Sequence, residues 1–166
     1  MDQQLYLLRH ANAEPWNPLG NDFSRSLSQK GSRHAKALAS WALDNLAVPD
    51  TVLCSPSKRT RETLAPLLSG WPQLLSVTDY VDSMYGASMN MLLTLTKDAF
   101  SFSERILMVG HNPACENLLI NTLVADQAAS IDKLATGTLA VIQFPGGFKQ
   151  NVANGQLLHF RTRKDF

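Results

Sequence analysis

Cysteine is scarce in this sequence: only Cys54 and Cys115 occur, with no Cys-x-x-Cys pair. The chain is therefore not a disulfide scaffold, and a reducing compartment suits it. Charge imbalance is also missing. Fifteen Lys and Arg against fourteen Asp and Glu leave a net charge of +1, which excludes bulk attraction to nucleic acid or an acidic membrane but leaves room for a local basic pocket. No apolar run approaches the ~18–20 residues of a membrane span. The opening MDQQLYLLRH carries an acid and a very short apolar run, unlike a secretory signal. No internal repeat, low-complexity tract or linker is visible. What remains is a chain of 166 residues, 45% hydrophobic and 17% charged, long enough to bury a full core. The expectation is one soluble, cytoplasmic domain spanning residues 1–166, without nucleic-acid or membrane partners.

Short apolar runs predict strands at Leu5–Leu8, Thr51–Cys54, Leu74–Val77, Ile106–Val109, Leu139–Phe144 and Leu157–Phe160. Helical spacing fills most of the gaps. Between Ser28 and Leu46 it puts Ala35, Leu38, Ala39, Ala42 and Leu46 on one face, with Ser28 as a candidate N-cap. Lys58–Leu68 predicts a second helix, which Pro66 should kink or end early. Met89–Leu95 and Pro113–Leu123 predict two more. The early strands are continuously apolar, as in a parallel sheet covered on both faces. The last two read as a hairpin with a long Gly- and Asn-rich loop. The order predicts an α/β fold: a three-layer α/β/α sandwich with a mostly parallel central sheet and a C-terminal antiparallel hairpin.

In such sheets, ligands bind outside the carboxyl ends of the strands. Three predicted strands end in polar, chemistry-bearing sequence. LYLLRHANA ends on Arg9 and His10, TVLCSPSKRTRET leads into a helix carrying Arg59, and ILMVGHNP ends at Gly110 and His111. If those strands are neighbours, two arginines and two histidines converge on one rim beside helix N-termini. That set suits an anion, and guanidinium forks match phosphate oxygens.

LLRHANAE, SPSKRTRET and VGHNP, in this order and spacing, resemble the histidine phosphatase superfamily, which opens on an Arg-His-Gly triplet at its first strand end. A short chain without a cap insertion is most similar to the SixA-type phosphohistidine phosphatases. The resemblance implies that His10 is the nucleophile, that Arg9 and Arg59 grip the phosphoryl group, and that His111 is the second pocket histidine. DFSRSLSQKG resembles the SixA-type stretch that supplies a further arginine, which would be Arg25. Imidazole is a competent nucleophile when one nitrogen is free, and nearby arginines favour its neutral form.

Two departures from the family pattern stand out. Ala11 replaces the triplet's glycine, and YVDSMYGAS places Ser83 where many members carry a glutamate general acid. Asp82, Glu14 and Asp22 are the rival acids. Arg61, beside Glu62, reads as a solvated helix cation, and His34 and His159 read as structural. His111 and Cys115 are four apart, but no further ligand pair accompanies them, so neither a metal nor another cofactor is expected.

Three functions fit: a phosphatase with a phosphohistidine enzyme intermediate, a non-catalytic phosphate- or phosphopeptide-binding module, or a phosphomutase. The intact His10 and His111 favour the first, and the lack of a lid-forming insertion disfavours the third. A phosphohistidine can leave as neutral imidazole without an acid, so the missing glutamate favours a phosphohistidine protein, such as a histidine phosphotransfer domain, over small phosphomonoesters.

Overall fold

The computed structural model describes residues 1–166. Six strands form one sheet: β1 (Gln3–Arg9), β2 (Thr51–Cys54), β3 (Thr78–Tyr80), β4 (Arg105–Gly110), β5 (Leu139–Phe144) and β6 (Gln156–Arg161), in the spatial order β3-β2-β4-β1-β5-β6. β3, β2, β4 and β1 are mutually parallel, whereas β5 runs antiparallel to β1 and to β6. The helices are α1 (Gln29–Asn45), α2 (Lys58–Gly70), α3 (Met89–Phe100), α4 (Ala114–Thr122) and α5 (Ala125–Ser130). None is long and apolar enough to cross a membrane.

The uninterrupted apolar run of β1 has a simple cause. Leu5 and Leu7 pack into one core layer with α3 and α4, and Tyr6 and Leu8 pack into the other with α1 and α2. β4 does the same, sending Ile106 and Met108 one way and Leu107 and Val109 the other. With both faces covered, the period-two alternation of a half-buried strand disappears. Truncating one of these leucines to alanine costs ~2–5 kcal/mol through lost transfer energy and the cavity left behind.

Ser28 caps α1 as expected, its hydroxyl accepting from the Gly31 N–H at 3.0 Å. Two expectations need correction. Leu74–Val77 is not a strand: Pro72–Val77 forms 3-10 turns, and the strand follows at Thr78–Tyr80. Pro72 opens the turn because its fixed φ suits a helical start, and a four-residue apolar run does not distinguish a strand from such a turn. Pro66 does not stop α2, which continues to Gly70 because Leu64 and Leu67 on either side are buried in the core. Met89–Leu95 lies in a helix as expected, within α3, which runs on to Phe100; α5 carries no signal in the sequence.

Candidate active site

The sheet order puts β4 between β2 and β1, so the three polar strand ends lie side by side. Arg9 is in register with Gly110, and the His10 N–H donates to the Gly110 carbonyl at 3.1 Å. The Ser55 N–H, just past β2, donates to the Val109 carbonyl at 3.0 Å. These backbone ties bring His10 and His111 together, with ring centroids 5.3 Å apart.

His10 is nearly buried, and its Nδ1 lies 2.8 Å from the Ala11 carbonyl oxygen. A carbonyl only accepts, so Nδ1 carries the ring proton and Nε2 keeps its lone pair. Burial holds the His10 pKa down to about 4, and the Arg59, Arg9 and Arg25 charges reinforce that against the Ala11 bond. The imidazole is therefore neutral at physiological pH. The Ala11 N–H donates to Thr63 Oγ1 at 3.0 Å, and that hydroxyl donates to the Arg59 carbonyl at 2.7 Å. Thr63 thus ties the histidine loop to the turn of α2 that carries Arg59.

His111 accepts on Nδ1 from Arg59 Nη2 at 3.4 Å, so its Nε2–H donates to Ser55 Oγ at 2.8 Å. Burial, then the neighbouring His10, holds the His111 pKa down to about 3.

Three arginines surround this pair. Arg9 donates from Nη1 to the Leu134 carbonyl at 3.0 Å. The Leu134 N–H in turn donates to Glu116 Oε2 at 2.7 Å, and Asn112 Nδ2 shares the same carbonyl at 2.8 Å. Arg59 is held by Asp22, through the backbone carbonyl at 2.8 Å and through Oδ2 at 3.1 Å. Arg25 reaches the other carboxylate oxygen of Asp22 at 3.0 Å. The Nε–H groups of Arg9 and Arg59 are both buried without a protein partner.

All five residues expected at the rim, Arg9, His10, Arg25, Arg59 and His111, are brought together. The candidate acids fare differently. Asp22 does reach the site, but the Tyr85 hydroxyl donates to its Oδ2 at 2.6 Å. That bond first, then Arg59 and Arg25, holds its pKa down to about 2, so it is an arginine anchor with no proton to give. Asp82 and Glu14 are exposed, and neither side chain hydrogen-bonds to another residue.

Arg61 turns away. It stays exposed, as expected of a solvated helix cation, while its Nε donates to the Pro56 carbonyl at 2.8 Å and its guanidinium sits 4.0 Å above the Tyr80 ring. Glu62 instead accepts from the Leu27 N–H, and it faces Lys58 at 4.0 Å. Cys115 is buried against Gly110, away from the His111 ring's partners. No group of three or more His, Cys, Asp or Glu side chains is placed to hold a metal ion.

Ser55, Tyr85, Asn112 and Glu116 escaped the sequence reading. Ser55 and Asn112 lie inside the motifs SPSKRTRET and VGHNP, which is the one local signal they carry. Tyr85, whose ring lies 5.7 Å from that of His111, has none. Size does not mark the site either: the most voluminous cavity, ≈ 770 Å³, lies between α1 and α2 and is lined by Leu27, Leu43 and Pro66 among others.

Residues 5–84 match the model of the histidine phosphatase superfamily (branch 1). An uncharacterized protein of Mycobacterium tuberculosis H37Rv is 28% identical over 147 residues, covering 84% of this chain and 88% of its own. Two solved structures, both provisionally assigned as phosphohistidine phosphatase SixA, superpose closely. The one from Agrobacterium tumefaciens has a TM-score of 0.84 at 29% identity, over 96% of this chain and 97% of that one. The one from Nakamurella multipartita gives 0.81 at 25% identity, over 98% and 96%.

Proposed function

We propose that this chain, which belongs to the histidine phosphatase superfamily and is a phosphatase using a catalytic histidine, hydrolyses phosphohistidine displayed on a protein. Residues 1–166 act as one domain without a cap. His10 is the nucleophile, and Arg9, Arg25, Arg59 and His111 surround the phosphoryl group.

The reaction takes two transfers. In the first, the Nε2 lone pair of His10 attacks phosphorus, and the Nε2–P bond forms as the P–N bond to the substrate ring breaks. A substrate ring protonated on its other nitrogen departs as neutral imidazole. The arginines bear on the equatorial oxygens, where the transition state spreads its charge. In the second transfer, water attacks phosphorus and the Nε2–P bond breaks. Inorganic phosphate leaves, and His10 returns with its proton still on Nδ1.

One observation carries the choice of substrate. The carboxylate that reaches the pocket, Asp22, is locked in its ionised form by Tyr85, Arg59 and Arg25. An alkoxide leaving group needs a proton donor, and Asp22 has none to offer. A phosphohistidine needs none. The test compares kcat/KM at neutral pH for a phosphohistidine protein, a phosphoserine peptide and a sugar phosphate. The first should exceed the other two by about two orders of magnitude, the contribution general acid catalysis would otherwise make. Parity among the three would overturn the reading.

A further inference from the structure

The net charge of +1 conceals a polarity along the sheet. Asp2, Asp50 and Glu104 cluster at the amino ends of β1, β2 and β4, where Asp50 accepts from the Glu104 and Arg105 N–H groups and Asp2 accepts from the Gly146 N–H. The opposite end, around the pocket, is basic well beyond the three arginines of the site.

Lys133 directly precedes Leu134, whose carbonyl holds Arg9. Lys30 directly precedes Gly31, which packs so tightly on Asn12 that a Cβ there would meet the Asn12 carbonyl oxygen at 1.9 Å. Lys30 and Lys133 are therefore close along the chain to groups that touch the histidine loop. Lys30, Arg163 and Arg33 lie near enough to His34 to add to the effect of its burial and lower its pKa. Lys133, Arg163 and Lys164 border one cavity of ≈ 420 Å³. Arg163 is common to both groups and links them. None of the five cations takes part in an ion pair; the chain's four pairs join Arg25 and Arg59 to Asp22, Lys58 to Glu62, and Arg105 to Asp50. Two carboxylates lie among them, Asp132 and Asp165, and Asp165 is occupied in a bond from the Thr162 N–H.

Beside Arg25 the chain is mixed, with exposed apolar side chains among asparagines, serines and Glu14. The segment that carries Arg25 also exposes Trp16 (67%), Leu19 (95%) and Phe23 (41%). The Phe23 ring stacks edge-on to Tyr85, 5.1 Å away, and Tyr85 borders His111. Exposed aromatic side chains are enriched where a surface meets another protein.

We propose that the pocket lies between two docking lips, a basic one built from Lys30, Arg33, Lys133, Arg163 and Lys164 and an apolar one built from Trp16, Leu19 and Phe23, and that together they seat a phosphorylated protein whose phosphohistidine is ringed by acidic side chains. This rests on the reading of the substrate given above. A small metabolite would fill the pocket and touch neither lip. A bare polyanion would use the basic lip and leave the apolar one exposed to water.

The experiment uses two synthetic peptides carrying the same phosphohistidine, flanked by Glu in one and Gln in the other, with inorganic phosphoramidate as a substrate too small to reach the lips. At low salt the Glu-flanked peptide should have about tenfold higher kcat/KM, and the gap should close as salt shortens the range of the attraction. R33E/K133E/K164E should abolish the gap, and W16A/L19A should lower kcat/KM several-fold for both peptides. Phosphoramidate turnover should stay within about twofold in both variants, which shows that they are folded. Brisk turnover of both peptides without a gap, or a gap that survives the charge reversal, would overturn the lips alone. Poor turnover of both peptides beside rapid hydrolysis of a sugar phosphate would overturn the substrate reading, and the lips with it. Binding to anionic phospholipid vesicles or RNA at physiological salt, with the peptides indistinguishable, would overturn the lips in favour of another polyanion.

Discussion

Arg9 and Arg59 flank the same histidine, but the fold restrains them by opposite means. Arg9 is pinned by a neutral group, the Leu134 carbonyl, which Glu116 steadies from behind through the Leu134 N–H. Arg59 is pinned by a charge, the Asp22 carboxylate, which it shares with Arg25 and Tyr85. A carbonyl orients a guanidinium without opposing a phosphoryl group. A carboxylate orients it and also repels the incoming anion. One arm is therefore simply preorganised. The other is preorganised at a cost to anion affinity, and that cost also favours release of the phosphate product.

The harshest test removes what the arms share. His10→Ala should lower turnover by about three or more orders of magnitude, the expected loss when a covalent nucleophile is deleted. Labelled phosphate should no longer be trapped on the protein in a rapid quench. Turnover near wild type would mean that the arms flank something other than the nucleophile.

A smaller effect separates α2 from itself. Arg59→Ala should reduce kcat/KM by about two orders of magnitude, as expected for losing a guanidinium from the transferring group. Arg61→Ala, two residues on, should leave kcat/KM within about twofold. Its cost should appear in thermal unfolding instead, at ~1 kcal/mol for the lost contact over Tyr80. Exchanged phenotypes would place the wrong arginine in the pocket.

The mildest effect sharpens the comparison itself. Asp22→Asn keeps an oxygen for Arg59 to bond but removes the opposing charge. Inhibition by inorganic phosphate should strengthen about fivefold, equivalent to ~1 kcal/mol at a partly exposed site. Glu116→Gln, the matching change behind Arg9, should leave phosphate inhibition unchanged. Equal shifts in the two variants, or weaker inhibition in Asp22→Asn, would show that the arms do not differ in the way described.

The sequence made the rim legible because three strand ends carry its chemistry within a few residues of an apolar run. Arg9, His10, Arg59 and His111 could be placed once β1, β2 and β4 were taken as neighbours, which the sheet order bears out. Arg25 needed the family resemblance, since its own surroundings read as an ordinary loop. Asp22 was noticed for the wrong reason. As a loop carboxylate it suggested an acid, and only its contacts with two guanidiniums and a phenol reveal an anchor. Glu116 and Leu134 are eighteen residues apart and joined by a backbone N–H, a link with no local signature. The Leu74–Val77 error has the same root. Four apolar residues do not declare their period, and Pro72 decided the outcome from outside the run.

The bond from His10 Nδ1 to the Ala11 carbonyl has a thermodynamic consequence. It directs phosphorylation to Nε2 and leaves the modified ring protonated on the other nitrogen. On the proposed route, that is the same chemical species as the substrate: a phosphoramidate on a protonated imidazole. The first transfer then exchanges one bond for another of its own kind, with an equilibrium constant near unity. The phosphoryl group is free to return to its donor until water intervenes. Net direction belongs to the second transfer alone, and a large excess of the unphosphorylated partner would draw the label back off the enzyme.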